Sequence, residues 1–310
     1  MPDHEFELPP ASDGQVPVVH VWRGEGETRG AVVVAHGMGE HSLRYEPLAR
    51  VLNSSGFDVY ANDHRGHGKT AGAASRLGDY GSEGWPGLLD DHLRLIRRVR
   101  DEGPGPLVVM GHSMGSMLVQ HLLTEASDLI DGAALSGTTA VDLMATAIRA
   151  NASANADDEG SDDSDGDLFA TFNAAFEPVR TESDWLSRDP EQVDLYVADP
   201  LCGFSVSPAS MESLMDAGLA FSTPEATGRI RKDLPIYVFA GDADPVGGNG
   251  ALVAIIADRY REAGIKDVTM KLYSEARHEV FNETNRTEVE ADFRDWALGI
   301  CERFENRGSQ

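Results

Sequence analysis

The sequence predicts an α/β protein: a mostly parallel central sheet, helices on both of its faces, and a helical cap inserted after the sixth strand. Three observations lead there. Continuous apolar runs at 30–35, 107–110 and 235–240 have the length and composition of strands buried on both faces. Each run ends in a glycine-bearing turn, at 36–41, 111–115 and 241–246. Between the runs, apolar residues recur at helical spacing, as at Leu43, Leu48, Val51 and Leu52, so strands alternate with helices.

With 310 residues, 41% of them hydrophobic, the chain can bury one large core. The expected core comprises residues 1–137 and 232–310, and the expected cap 138–231. The net charge of −26 repels phosphate backbones and anionic headgroups, which argues against nucleic acid as a partner. Lysine is confined to Lys69, Lys232, Lys266 and Lys271, and arginine supplies the other positive charges. No apolar run approaches membrane-spanning length, and the first six residues carry neither a basic start nor an apolar stretch, so no transmembrane segment or secretory signal is expected. Cys202 and Cys301 are far apart and need not pair, which fits a reduced, cytoplasmic setting.

In chain order, residues 4–22 alternate weakly around Ser12, Asp13 and Gly14, the pattern of an opening antiparallel hairpin. The strand at 30–35 runs into His36-Gly37-Met38-Gly39-Glu40-His41, a loop able to turn its amides inward. A helix over 42–55 closes at Gly56, and the strand at 57–61 enters Asp63-His64-Arg65-Gly66-His67-Gly68. Two histidines three apart suggest zinc, but a third ligand is missing, and Asp63 and Arg65 suit a tight loop pinned by hydrogen bonds. No metal or cofactor is expected. A helix over about 83–102 leads through glycines and prolines to the strand at 107–110.

That strand breaks into Gly111-His112-Ser113-Met114-Gly115 and resumes as a helix. A serine on a sharp strand-to-helix turn projects its hydroxyl off the sheet, and the helix start aims amides at developing negative charge. Ser113 is the candidate nucleophile, and it needs a base. Of the histidines after it, His121 lies two turns into the following helix and reads as a packing or surface residue; His278 sits in the loop after the strand at 267–273. The base must be oriented by a carboxylate, and two compete after the strand at 235–240. Asp244, deeper in the loop with Pro245 behind it, is favoured; Asp242, close to the strand end, suits a turn cap. The amides of Met38 and Met114 are the candidate oxyanion donors.

Taken together, the motifs at 36–41 with Arg44-Tyr45, at 63–68, at 111–115 and at Ala276-Arg277-His278-Glu279 resemble the monoacylglycerol lipase and lysophospholipase-like branch of the α/β hydrolases, which is of the serine aminopeptidase type. The resemblance spans about residues 15–305, and its Gly-x-x-Asp-x-Val pattern falls on Gly241 to Val246, which assigns the acid to Asp244. It implies an ester hydrolase acting through an acyl-serine on a small-molecule ester or lipid, most simply a monoglyceride or lysophospholipid, with a short-chain or aryl carboxylesterase as the alternative. Peptidase action and a non-catalytic binding role are weaker readings. A serine rather than an aspartate at the turn argues against epoxide hydrolase and haloalkane dehalogenase chemistry.

The family carries a variable cap where this chain has residues 138–231. It opens with a helix over 141–150 and then an acidic stretch within 151–167, which repels itself and reads as a solvated, mobile loop. Ser161, Asp163, Asp165 and Gly166 mimic the front of a calcium loop, but Phe172 stands where its closing glutamate belongs. Leu168, Phe169, Phe172 and Phe176 recur at helical spacing and suit cap-to-core packing, with Phe172 and Phe176 as candidate substrate contacts. Met211 and Met215 belong to a second apolar face whose flexible side chains suit an acyl pocket.

Overall fold

The computed structural model describes residues 1–103, 105–155 and 168–308. Most of the acidic stretch, and with it the calcium-like set at 161–166, lies outside the described residues. Eight strands form one sheet: β1 (His4–Glu7), β2 (Val18–Trp22), β3 (Gly30–Ala35), β4 (Phe57–Asn62), β5 (Leu107–His112), β6 (Gly132–Ser136), β7 (Ile236–Gly241) and β8 (Val268–Tyr273), in the order β1-β2-β4-β3-β5-β6-β7-β8. The first two strands pair antiparallel at one edge, and the six from β4 to β8 run parallel.

Parallel neighbours require crossovers, and helices make them. These are α1 (Glu46–Asn53), α2 (Gly84–Glu102), α3 (Met114–Ala126) and α9 (Ala251–Glu262), and α10 (Arg286–Gly308) follows the last strand and packs back on the sheet. Side chains of the central strands alternate between two cores. Val33 and Val109 pack under α2, α3 and α9, while Val32, Val34, Val108 and Met110 pack under α1 and α10. The helix expected over 42–55 is split into a 3-10 turn at Ser42–Tyr45 and α1, because Pro47 fits only the first turn of an α-helix.

Between β6 and β7 lies an insertion that holds, among the described residues, five helices: α4 (Val141–Asn155), α5 (Leu168–Asn173), α6 (Pro190–Ala198), α7 (Pro208–Phe221) and α8 (Pro224–Gly228). Three of them, α6, α7 and α8, start on a capping Asp189, Ser207 or Thr223 followed by proline. The insertion packs through α7 against α2 and α3 of the core, and its residues share a cavity with the loops at the carboxyl ends of β3, β5 and β7. The carboxyl ends of the parallel strands carry the loops that hold Met38 (after β3), Ser113 (after β5), Asp244 (after β7) and His278 (after β8). Among the described residues no helix is long and apolar enough to cross a membrane, and Cys202 and Cys301 are both free thiols.

Candidate active site

Ser113 sits between β5 and α3 with φ 52° and ψ −122°, a left-handed conformation rare for any residue with a side chain. The surroundings enforce it. A Cβ on Gly111 would lie 2.2 Å from the Gly115 carbonyl oxygen, and one on Gly115 would lie 2.0 Å from that of Ala35. Only glycine permits so close a passage of strand and helix. The Ser113 N–H donates to the Ser136 carbonyl at 2.9 Å, and its own carbonyl accepts from Ser116 and Met117, starting α3.

Asp244 is fully buried, and both its carboxylate oxygens lie 3.0 Å from His278 Nδ1. Val246 N–H also donates to it, at 2.9 Å. Asp242 is exposed and accepts from the Glu275 N–H at 2.6 Å, so it pins the turn that precedes the His278 loop. The His278 ring lies 4.7 Å from that of His112 and 5.0 Å from that of Trp185. Burial alone would push its pKa down, but Asp244, by charge and hydrogen bond, leaves it above the usual histidine value. The carboxylate engages Nδ1 and leaves Nε2 as the nitrogen able to accept a proton. Among the described residues no hydrogen bond joins the Ser113 hydroxyl to Nε2; such bonds are commonly long in ligand-free sites and tighten with substrate.

The loop after β3 is held amide by amide. Gly37 N–H donates to Glu40 Oε1, and Gly39 N–H to His67 Nε2 at 3.3 Å. The Met38 N–H between them has no partner among the described residues, and neither has the Met114 N–H at the start of α3. His36 Nε2 accepts from the His64 N–H at 2.9 Å, so its Nδ1 carries the proton and donates to the Gly37 carbonyl at 2.8 Å. The rings of His36, His64, His67 and His92 form one buried cluster, with centroids 4.1 Å apart for His36 and His64. Burial holds all four neutral at pH 7, with His67 and His92 pushed down to about 4. The pair at 64 and 67 thus organises the loop through ring nitrogens bonded to main chain. Beside it Asp63 accepts from Ser42 and Lys69 amides, and the fully buried Arg65 pairs with Asp13, Asp91 and Glu83.

Ser113 opens into an apolar cavity lined by Met38, Met114, Met117, Met144, Phe172, Trp185, Met211, Leu214, Met215 and Val246. Its volume is about 40 Å³, too small for an acyl chain with these side chains in place. Phe172, Met211 and Met215 lie where the sequence places candidate substrate contacts. Phe176 does not: it is absent from the lining and packs under the Arg277 guanidinium at 4.1 Å. The reason is local, because α5 ends at Asn173 and a 3-10 turn at Ala174–Phe176 breaks the helical spacing. Met117, Met144 and Val246 also line the cavity, and the sequence pattern does not single them out for it. Met117 was legible in principle, one helical turn after Ser113.

One further group could hold a metal ion among the described residues: His41, Asp199 and Cys202 have ligand atoms within 4.8 Å of one another. His41 Nε2 is already bonded to Asp199 at 2.9 Å, and burial raises the Cys202 pKa, so the group reads as a contact between insertion and core. A larger groove lies at the amino ends of β3 and β5, but its Arg23, Asp58 and Glu102 pair among themselves, and Arg29 pairs with Glu305.

An eight-stranded, mostly parallel sheet that carries a strained serine after β5 defines an α/β hydrolase. The chain belongs to the serine aminopeptidase family of that fold, which it matches over residues 26–285, in the branch of the monoacylglycerol lipases. It is 32% identical over 306 residues, 96% of each chain, to the monoacylglycerol lipase of Mycolicibacterium smegmatis, and 27% identical to the human monoglyceride lipase over 88% of this chain and 82% of that one. Among solved structures it resembles a thermostable carboxyl esterase from Bacillus coagulans with a TM-score of 0.84 and 29% identity, over 97% of this chain and 99% of that one.

Proposed function

We propose that this carboxylic ester hydrolase cleaves monoacylglycerols or lysophospholipids through an acyl-serine. The observation that carries the reading is the fully buried Asp244 bonded to His278 Nδ1, together with the apolar cavity that Ser113 lines. In this mechanism His278 Nε2 takes the Ser113 proton as Oγ attacks the ester carbonyl, and Asp244 stabilises the imidazolium. The Met38 and Met114 amides donate to the oxyanion. The leaving alcohol takes the proton back from His278. Water, activated by the same ring, then attacks the acyl-serine and frees the acid. Every proton moves through His278, and no metal or cofactor takes part in this scheme.

Residues 138–231 act as the cap in this reading, and their methionines receive the acyl chain. Thioether side chains adapt to chains of different length at little cost in packing. A short-chain carboxylesterase is the second reading, favoured by the 40 Å³ cavity. Peptide substrates fit less well, since among the described residues the lining holds no carboxylate to receive an amino terminus.

The test is hydrolysis of p-nitrophenyl esters and monoacylglycerols of rising chain length. A rate maximum at medium or long chains, lost by several orders of magnitude in Ser113→Ala and Asp244→Asn and kept in Asp242→Asn, supports the lipase reading. A maximum at acetyl or butyryl makes the enzyme a carboxylesterase, and an active Ser113→Ala enzyme refutes the mechanism.

A further inference from the structure

Behind His278 lies a second charged assembly that the mechanism above does not use. Arg44, from the turn before α1, donates Nη1 to Glu40 at 2.7 Å and clasps Glu279 with both terminal nitrogens, at 2.6 and 2.7 Å. Glu40 belongs to the loop after β3 and, besides Arg44, accepts from the Gly37 N–H and from the Tyr45 hydroxyl. Glu279 follows His278 directly and also accepts from Asn282 at 2.9 Å. The three charged side chains are 13%, 4% and 7% exposed. Arg44 therefore ties the loop that presents the Met38 amide to the loop that presents the candidate base, across 235 residues of sequence.

The charges do not balance. Two carboxylates meet one guanidinium, so one negative charge is left over in a nearly dry setting. An unbalanced buried charge is costly, and apolar packing would hold the two loops together as well. What apolar packing lacks is a field. The titratable and charged groups that act on His278 are Asp244 from the β7 loop, Glu279 from its own loop, Glu40 from the β3 loop and the neutral His112 from the end of β5, with Arg44 behind the two glutamates. Burial opposes charge on Glu279, but Arg44 holds its carboxyl well below the usual range, so it stays ionised at every pH where the base works.

We propose that Glu40, Arg44 and Glu279 are positioning residues for the hydrolytic reaction: the clamp sets the oxyanion loop against the His278 loop, and its surplus negative charge stabilises the imidazolium formed when Ser113 gives up its proton. Asp244 is thus one of two anionic supports for His278, acting at Nδ1, while the clamp acts through Glu279, which follows His278 in the chain, and Glu40 of the β3 loop. This rests on the serine mechanism proposed above.

The test removes charge and keeps shape. Glu40→Gln and Glu279→Gln each retain an acceptor oxygen but lose a negative charge. Removing negative charge disfavours the imidazolium, so the acid limb of kcat/KM for p-nitrophenyl butyrate, which reports the free base, shifts to lower pH. The expected shift is about half a pH unit or more in each variant, with kcat down about tenfold and KM within about twofold. Glu279→Asp, which keeps the charge, restores the limb. Circular dichroism and thermal melts identify any variant that fails to fold, and the other glutamine variant then carries the test. Limbs that stay at the wild-type pH in folded variants, even with reduced kcat, overturn the proposal. A serine-directed fluorophosphonate separates this failure from the other: wild type unlabelled at Ser113 refutes the mechanism itself, whereas a labelled, active enzyme with unmoved limbs refutes only the clamp's role.

Discussion

The two walls around Ser113 are built on opposite principles. The core wall is a web of directional bonds in which Glu40, His36 and His67 each fix one main-chain group of the loop at 36–41. The insertion wall, with Met144, Phe172, Met211, Leu214 and Met215, offers volume and almost no direction. The seam between them is polar again: the Tyr196 hydroxyl and the Gly203 N–H both donate to the Gly39 carbonyl, and Glu279 N–H donates to Leu186. The contrast teaches where precision is needed. The main chain of the core wall is held by bonds that work at one angle, whereas the insertion wall offers apolar atoms that tolerate many.

The sharpest way to break this comparison is to disturb the core wall's backbone. Gly115→Ala puts a Cβ 2.0 Å from the Ala35 carbonyl oxygen, and we expect no soluble folded protein or a melting temperature lowered by more than about 10 °C with activity lost. Next in size is Arg65→Met, which takes the buried guanidinium away from Asp13, Asp91 and the part-exposed Glu83 and leaves Asp91 to Arg94 alone; denaturant titration should read a loss of about 3 kcal/mol.

Acid comes third. His67, His92 and His112 have folded pKa values of about 4 against an ordinary 6.5, so the unfolded chain binds protons in that window and the folded chain does not. Stability is therefore retained above pH 6.5 and falls as the pH drops from about 6.5 to 4. Thermal melts across that range should show the decline, and it should shrink in His92→Asn. The smallest effect belongs to the insertion wall. Met211→Leu and Met215→Leu keep volume and should leave kcat/KM within about threefold at every chain length, whereas a loss beyond about tenfold at any chain length would dissolve the distinction between the walls.

Much of this was legible in the sequence because it is local. The β-branched runs became β3, β5 and β7, and the glycines flanking Ser113 mark a turn that no other residue allows. Depth in one loop favours Asp244 over Asp242 and the family's Gly-x-x-Asp-x-Val pattern assigns the acid to Asp244, and the structure gives the two different partners, His278 and the Glu275 amide. What stayed hidden is what the fold brings together from afar. Nothing in the spacing of Arg44 and Glu279 announces their bond, and Met117, Met144 and Val246 share a cavity only because α3, α4 and the β7 loop converge. Phe176 shows the complementary failure, in which a helical period was extended past the point where the helix ends.

The backbone of Ser113 carries a last consequence. A side chain at φ 52° and ψ −122° stores about 1–3 kcal/mol of strain, which the surrounding contacts must overcome for the chain to fold. Glycine relieves that strain and forfeits about 1 kcal/mol through the greater freedom of its unfolded chain. The Ser113→Gly protein should thus be inert yet melt at or above the wild-type temperature, by about 2 °C or more if the strain is at the upper end. Selection for durability alone would erase this residue; its presence at such a position marks a molecule tuned for turnover over longevity.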